Sequence, residues 1–520
     1  MGIFDRFRTT APSGTNGVKP DTSEQDTTRL IDEGHVLEAE GKLDKAMQRY
    51  LDAIRLAPNP ARAHLNRGNI LLLQGDLQGA LDAFRTAIKY KPDYAGAYYN
   101  IGNALLGNKQ LDEAVKNYRK ALEIQPDYAE VHCSLGVGLN ELGQTEGAIA
   151  CFQRALAINP DLVEAHNSMG ITMLELGQFE SAVSCYRRAL EIKPDFAVAH
   201  FNLGLLLLSL GRYIEAWPEF EARYDPGHSK RHSIPPNFPF PQWQGESLAG
   251  KSLVVWPEQG FGDEIQFARY IPLLKSRGVS RLTLVCKPPL KALLETLAGV
   301  DTVATQSEAA SLPFHDYWTF PMSLPLQFAT TLETIPAELP YLAVLPERLE
   351  RWRGRLPRGG LKVALVWKGN AVTTNDSTRS LPGLSTLAPL WSVPGIAFVS
   401  LQKGQGEEEA AMPSVDQPIL TLGSDIFDFA DTAAIVAQVD LVICVDTAIA
   451  HLAGALNKRC WVLLSSIDTD WRWLRERSDS PWYPGVMRLF RQTKAGDWTA
   501  TISEVTQALG IWVGKHRDTI

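Results

Sequence analysis

The stretch ARAHLNRGNILLLQGDLQGALDAFRTAIKYKPDY (61–94) decides the fold of the first half of the chain, because its 34-residue pattern repeats on either side of it. Gly34, Gly68, Gly102, Gly136, Gly170 and Gly204 share one register; Ala46, Ala80, Ala114, Ala148, Ala182 and Ala216 share a second, and Pro58, Pro92, Pro126, Pro160 and Pro194 a third. Small residues mark places where two helices cross closely, since a larger side chain would push the axes apart. Proline cannot continue a helix and opens the connection to the next pair. Gly41, Gly75, Gly143, Gly177 and Gly211 mark the turn inside each pair; Lys109 interrupts that series, with Gly107 and Asn108 before it able to make the turn.

A 34-residue period with these markers means tetratricopeptide (TPR) helix pairs, about six of them over residues 25–228. One pair cannot bury its own apolar face, so the pairs stack into an α-solenoid with a long concave surface. Asn66, Asn100 and Asn202 are in register, with Ser134 and Ser168 at the same place in the repeats between. The series resembles the asparagine ladder inside the TPR superhelix of O-linked N-acetylglucosamine transferases, which implies an acceptor or peptide site. An amide both donates and accepts, matching a peptide bond. The other reading is that small polar residues at this position tolerate solvent. His64, His132, His166 and His200 are also periodic; they read as packing residues near the helix crossing, because stacked repeats hold them too far apart for one metal.

The 520 residues are 45% hydrophobic and 21% charged with net charge -8, the balance of a globular chain and not of a general nucleic-acid binder. No apolar run reaches the ~18 residues needed to span a bilayer. Residues 1–24 have no apolar signal core and read as a disordered tail. Cys133, Cys151, Cys185, Cys286, Cys444 and Cys460 form no C-x-x-C pair, which predicts no zinc or redox site and a reducing, cytoplasmic setting.

Beyond residue 225 the period ends. DPGHSKRHSIPPNFPFPQW (225–243) reads as a linker or wrapped connection, with the linker over 229–248. Apolar strand runs follow at KSLVVW (251–256), RLTLVC (281–286), LKVALVW (361–367), IAFVSL (396–401), LVICV (441–445) and CWVLL (460–464), with helical segments between them. Such alternation predicts parallel sheets in two Rossmann-like halves, 249–345 and 361–512, joined by a charged connection over 346–360 and followed by a tail over 513–520.

Three segments could carry chemistry at the carboxyl ends of these strands. In EQGFGDEIQFARY (258–270), Gly260 and Gly262 allow a sharp turn and close approach to a ligand, and Asp263 is either a helix N-cap or a general base facing a cleft. In CVDTAIAHLAGALNKR (444–459), Asp446 or Thr447 starts a helix whose free N–H groups, with Thr447 and His451, suit a diphosphate. VWKGNAVTTNDSTRSLPG (366–383) offers Lys368, Asn370 and Arg379, with Gln402 and Lys403 reaching the same edge.

Together these stretches, with FDFADTAAIVAQVDLVICV (427–445) and DWRWLRERSDSPWYP (470–484), resemble glycosyltransferase family 9, the heptosyltransferase-type enzymes of the GT-B fold. More closely, the whole chain resembles bacterial TPR proteins that carry such a module at the C-terminus. The resemblance implies a metal-independent sugar transfer from a nucleotide-diphosphate donor, a co-substrate and not a cofactor. It implies Asp263 as catalytic base, Arg379 (or Lys368) supporting the leaving diphosphate, and Asp446, Thr447 and His451 binding the donor. Ala448 stands where the family's motif has glycine. The implied acceptor is a protein or peptide held by the solenoid. The alternative is a non-catalytic scaffold with a degenerate module. The tryptophans of 470–484 read as core and lid packing.

Overall fold

The computed structural model describes residues 22–57, 59–228, 233–371, 376–467 and 469–516. Most of the expected tail over 1–24, four residues of the linker and four of the 366–383 loop lie outside them. The chain divides into two units, Met1–Leu203 with Asp225–Lys230, and Gly204–Tyr224 with Arg231–Ile520. No helix among the described residues is long and apolar enough to cross a membrane.

The first unit is built of antiparallel helix pairs. Five complete pairs are Thr22–Ala39/Leu43–Leu56, Ala61–Leu73/Leu77–Tyr90, Ala95–Gly107/Leu111–Ile124, Ala129–Glu141/Thr145–Ile158 and Val163–Glu175/Phe179–Ile192; a sixth, Ala197–Ser209/Tyr213–Phe220, straddles the division. The periodic glycines have one packing task. A Cβ at Gly34, Gly68, Gly102, Gly136 or Gly170 would lie 2.3–2.6 Å from the ring of Tyr50, Phe84, Tyr118, Phe152 or Tyr186 of the second helix. Each ring is buried, as are the alanines of the second series. One aromatic per repeat therefore fills the space that a missing Cβ leaves.

Two expectations are corrected here. The turn in the third repeat is made by Lys109 itself, at φ 60, while Gly107 closes the helix and Asn108 stays at φ -92. A left-handed conformation costs a residue with a Cβ roughly 1–2 kcal/mol, and the Lys109–Glu141 pair is too exposed to offset it. Lys109→Gly is expected to raise stability by about 1 kcal/mol, read as a higher urea midpoint. Of the periodic histidines, His64 is a packing residue, buried and stacked on Tyr90, and the other three are not. The Nε2 atoms of His132, His166 and His200 lie 2.8, 2.9 and 2.7 Å from the carbonyl oxygens of Pro126, Pro160 and Pro194, tying each inter-repeat loop to the helix that follows it.

The second unit holds two parallel sheets. The first has order β3-β2-β1-β4, from β1 (Ser252–Val255), β2 (Arg281–Cys286), β3 (Thr302–Thr305) and β4 (Tyr317–Thr319). The second has order β10-β9-β8-β5-β6-β7, from β5 (Leu361–Val366), β6 (Ile396–Ser400), β7 (Leu420–Thr421), β8 (Leu441–Val445), β9 (Cys460–Leu464) and β10 (Met487–Arg491). The order reverses between β1 and β4 and between β5 and β8, and ligands of such sheets bind outside the carboxyl ends at these switch points. The apolar strand runs are buried on both faces, as parallel sheets require.

The boundaries differ from those expected at three places, and the linker takes the wrapped form of its two readings. The first helix starts at Thr22, and the last, Thr499–His516, runs through the first half of the expected tail over 513–520. The described part of the linker is wrapped onto the first sheet: Trp243 is buried, and Phe238 packs on Phe240 and Trp256. Finally, the helix Tyr213–Phe220 and the turn Glu221–Tyr224 belong to the second unit. Trp217 donates to the Thr330 carbonyl at 2.8 Å, and Tyr213 accepts from the Trp482 indole at 3.0 Å. The repeat period ends here too, since the position 34 after Pro194 is His228.

Candidate functional site

Four of the loops after strands converge on one place. After β1, a turn through Gln259 (φ 53) leads into the helix Phe261–Phe267. Asp263 is not the N-cap, which is Gly260; it sits three residues in and reaches back, its Oδ2 accepting from the Gly260 N–H at 2.7 Å. Its Oδ1 accepts from Arg472 Nη2, an ion pair between the two halves of the unit. Burial raises the Asp263 carboxyl above its ordinary range, against the pull of Arg472 and the Gly260 N–H.

Arg472 was not foreseen. It stands past β9 in the turn Trp471–Trp473, with its side chain 6% exposed. Its Nη1 donates to Asp470 Oδ2 at 2.7 Å, its guanidinium lies 4.7 Å from the Trp471 ring centre, and its Nε has no partner. Arg491 on β10 anchors the loop by donating to the carbonyls of Trp473 and Leu474 at 2.7 and 2.9 Å. The only sequence signal was the place of this arginine just past a strand run, masked by its tryptophan neighbours. Those tryptophans are core, as read: Trp471, Trp473 and Trp482 are all buried.

After β8 come Asp446 and Thr447, the latter the N-cap of the helix Ala448–Ala455. Thr447 Oγ1 is buried without a hydrogen-bond partner. Asp446 is pushed from the ordinary 3.8 up to about 6, by burial first and then by Asp470, while the Trp473 indole N–H, Arg379 and Arg472 pull it down. An acid whose pKa rises on folding favours the folded state while protonated. That contribution is complete below about 3.9 and is lost as pH rises through about 6. Asp446→Asn is therefore expected to gain melting temperature over the wild type between about pH 4 and 6 and to keep the gain above it. A difference that stays flat with pH would contradict this.

His451 is in the seam between the helices Phe261–Phe267 and Ala448–Ala455. A Cβ on Gly262 would lie 2.8 Å from its Cδ2, so Gly262 makes room for this ring and not for a ligand. The ring is buried, stacks on Trp473 at 5.3 Å and 17°, and has Nδ1 3.0 Å from the Tyr483 hydroxyl. Burial, then the charges of Arg472 and Arg269, keep it neutral. It therefore orients the helix instead of supplying a cation. Arg269, also unforeseen, clamps the same seam by donating to the Trp482 carbonyl at 2.6 Å and the Pro336 carbonyl at 3.1 Å.

After β5, Arg379 lies with Nε 3.5 Å from Asp376 Oδ1, its guanidinium over Gly369. Lys368 is spent on Glu409 at 2.7 Å. Gln402 is a brace: Oε1 accepts from the N–H groups of Trp367 and Lys368, and Nε2 donates to the carbonyls of Lys368 and Gln405. Lys403 donates to the Gly423 and Ile426 carbonyls at 3.1 and 2.8 Å. Asn370 is exposed. Asp263, Asp446, Thr447, Arg472 and Arg379 are thus the residues left to a candidate site, while the side chains of Lys368, Gln402, Lys403 and His451 are engaged within the protein.

The ladder of the first unit is a correction of the same kind. Asn66, Asn100, Ser134 and Ser168 are buried, and Asn202 is half-buried. Asn66 Nδ2 lies 2.9 Å from His35 Nε2; Asn100 donates to Asn69 at 2.8 Å and Asn202 to Asn167 at 3.1 Å. These amides bond neighbouring repeats to one another, so they help satisfy the seam between repeats.

Comparison with known proteins finds matches in most of the first unit and in a segment of the second. Residues 34–75, 68–109, 102–137, 139–177 and 172–211 match the TPR repeat family, and residues 404–465 match glycosyltransferase family 9 (heptosyltransferase). The latter segment contains Asp446, Thr447 and His451 and leaves out Asp263, Arg379 and Arg472. Protein FlbA of Caulobacter vibrioides is 31% identical over 324 residues, 57% of this chain and 52% of FlbA, so the chain spans about half the length of that relative. Among solved structures, TTC0263, a TPR protein of Thermus thermophilus, covers 35% of this chain and 99% of its own at 24% identity and TM-score 0.32. The Pseudomonas aeruginosa pilF structure covers 41% of this chain and 97% of its own at 18% identity and TM-score 0.35. The chain thus carries TPR repeats over residues 34–211, and residues 404–465 of its second half are similar to glycosyltransferase family 9.

Proposed function

We propose that the second unit is a metal-independent glycosyltransferase that moves a sugar from a nucleoside-diphosphate donor to an acceptor hydroxyl, in the cytoplasm, on a protein or peptide bound by the repeats. The observation that carries this reading is the Asp263–Arg472 pair, which joins the loops past the carboxyl ends of two parallel sheets. Asp263 would take the acceptor proton as that oxygen attacks the anomeric carbon. The bond to the diphosphate breaks with its electron pair leaving on phosphate, where Arg379, the Thr447 hydroxyl and the N–H groups of the helix Ala448–Ala455 meet the charge.

A second reading has its own support. Lys368 and Lys403 are spent on protein partners, and the cleft carries Asp263, Asp446 and Asp470, as a repeat scaffold with an idle module would allow. Release of nucleoside diphosphate from UDP-, GDP-, ADP- and dTDP-sugars separates the two. Turnover with any of them supports the transferase; none, with peptide acceptors present, supports the scaffold.

A further inference from the structure

Arg472 poses a chemical problem for the reaction just described. A carboxylate that accepts a charged hydrogen bond is a weaker base than the same group unpaired, and Asp263 has both oxygens occupied, one by the Gly260 N–H and one by Arg472. The arginine, for its part, is bound by two carboxylates and touches a third electrostatically, since it also lowers Asp446. Its surroundings are acidic and aromatic. Asp263 faces it from the helix Phe261–Phe267, Asp470 from its own loop and Asp446 from the end of β8. Phe267 and Trp471 pack on its guanidinium at 5.5 and 4.7 Å, while neutral His451 and the cations Arg269 and Arg379 lie around it. With 6% of its side chain exposed and Nε unpartnered, it retains donor capacity that no protein group uses.

We propose that Arg472 is a catalytic residue with two positions. Without donor it pairs with Asp263; with donor it turns its fork to the diphosphate and releases Asp263 to act as base. The inference rests on the transferase reading. A guanidinium matches two phosphate oxygens as well as it matches two carboxylates, and the incoming diphosphate brings more charge than Asp263 gives up. Asp470, bonded both to Nη1 and to the Arg472 backbone N–H at 2.9 Å, is the pivot that stays. The base is thereby freed only when a donor is present.

The test is binding of UDP, GDP, ADP and dTDP to the full chain and three variants, with unliganded melting temperatures as the folding control. A wild type that binds none removes the transferase reading itself. If it binds one, Arg472→Gln is expected to weaken that diphosphate by about tenfold to a hundredfold, the loss of a charge-assisted hydrogen bond. The double variant Arg472→Gln/Asp263→Asn removes both buried charges and keeps the question open if the single variant fails to fold; it is expected to be equally weak. Asp263→Asn alone releases Arg472 and is expected to bind the diphosphate more tightly than the wild type. Wild-type affinity in Arg472→Gln or in the double variant would overturn the proposal, and so would an Asp263→Asn variant that binds no better.

Discussion

Arg223→Ala is expected to lower the stability of the second unit by about 3–5 kcal/mol, the usual result of removing one partner of a buried ion pair. Arg223 and the side chain of Glu258 are both 0% exposed. Arg223 Nε donates to Glu258 Oε2 at 2.8 Å and Nη2 to Oε1 at 3.1 Å; Nη1 donates to Glu221 at 2.5 Å and Nη2 also to Ser323 at 2.8 Å. Glu258 in turn accepts from the Met322 N–H at 2.8 Å and the Ser233 hydroxyl at 2.7 Å. Alanine leaves that carboxylate buried with its counter-charge gone. Glu258 opens the turn that delivers Gly260 and Asp263, so the loss falls on the site as well as on the fold. Thermal unfolding should show a fall of roughly 10 °C in the transition of the second unit. Arg223→Met with Glu258→Gln, which removes both charges and keeps an acceptor for Met322, should recover part of it. A transition unchanged in Arg223→Ala would contradict the role given to this network.

Asp263→Asn is expected to lower the rate of sugar transfer by about 10²–10⁴-fold, the range for loss of a general base. The amide can still accept from the Gly260 N–H, so the helix start and the fold survive, and the unliganded melting temperature serves as the control. The rate falls while diphosphate affinity does not, because the lost group acts on the acceptor and not on the donor. A variant that turns over like the wild type would remove Asp263 from the chemistry.

The helix pairs were readable from sequence because each marker answers one steric demand. The ring of Tyr118 needs Gly102 whatever surrounds them, and the same pairing recurs in five repeats. Six strand runs were equally legible, being apolar and mostly buried, whereas β3, β4, β7 and β10, short or partly exposed, were not. Within the candidate site, Asp446 and Thr447 could be found because they directly follow a strand, and Asp263 because it opens the helix after the glycine turn past β1. What could not be read was how the cations are used. Lys368, Lys403 and Arg472 are all basic residues past strand ends, and only the fold shows the first bound to Glu409, the second to backbone carbonyls and the third to Asp263. Asn100 looked like a ligand-facing amide because the period fixes its register and not its partner, Asn69, which lies 31 residues away. The end of the repeats was misplaced for a related reason: Ala216 keeps the helix-crossing pattern while Tyr213, Trp217 and Arg223 on the same segment serve the second unit.

The decisive measurement is the melting temperature of the full chain with UDP, GDP, ADP, dTDP and their sugars, each compared with Thr447→Val. A ligand at ~100 times its dissociation constant adds about 2.7 kcal/mol, a rise of roughly 5–10 °C in the transition of the second unit. A rise with one nucleotide family, lost or reduced in Thr447→Val, is the predicted result. No rise with any of them at millimolar concentration would contradict a donor site at the ends of these strands and leave the chain a repeat scaffold.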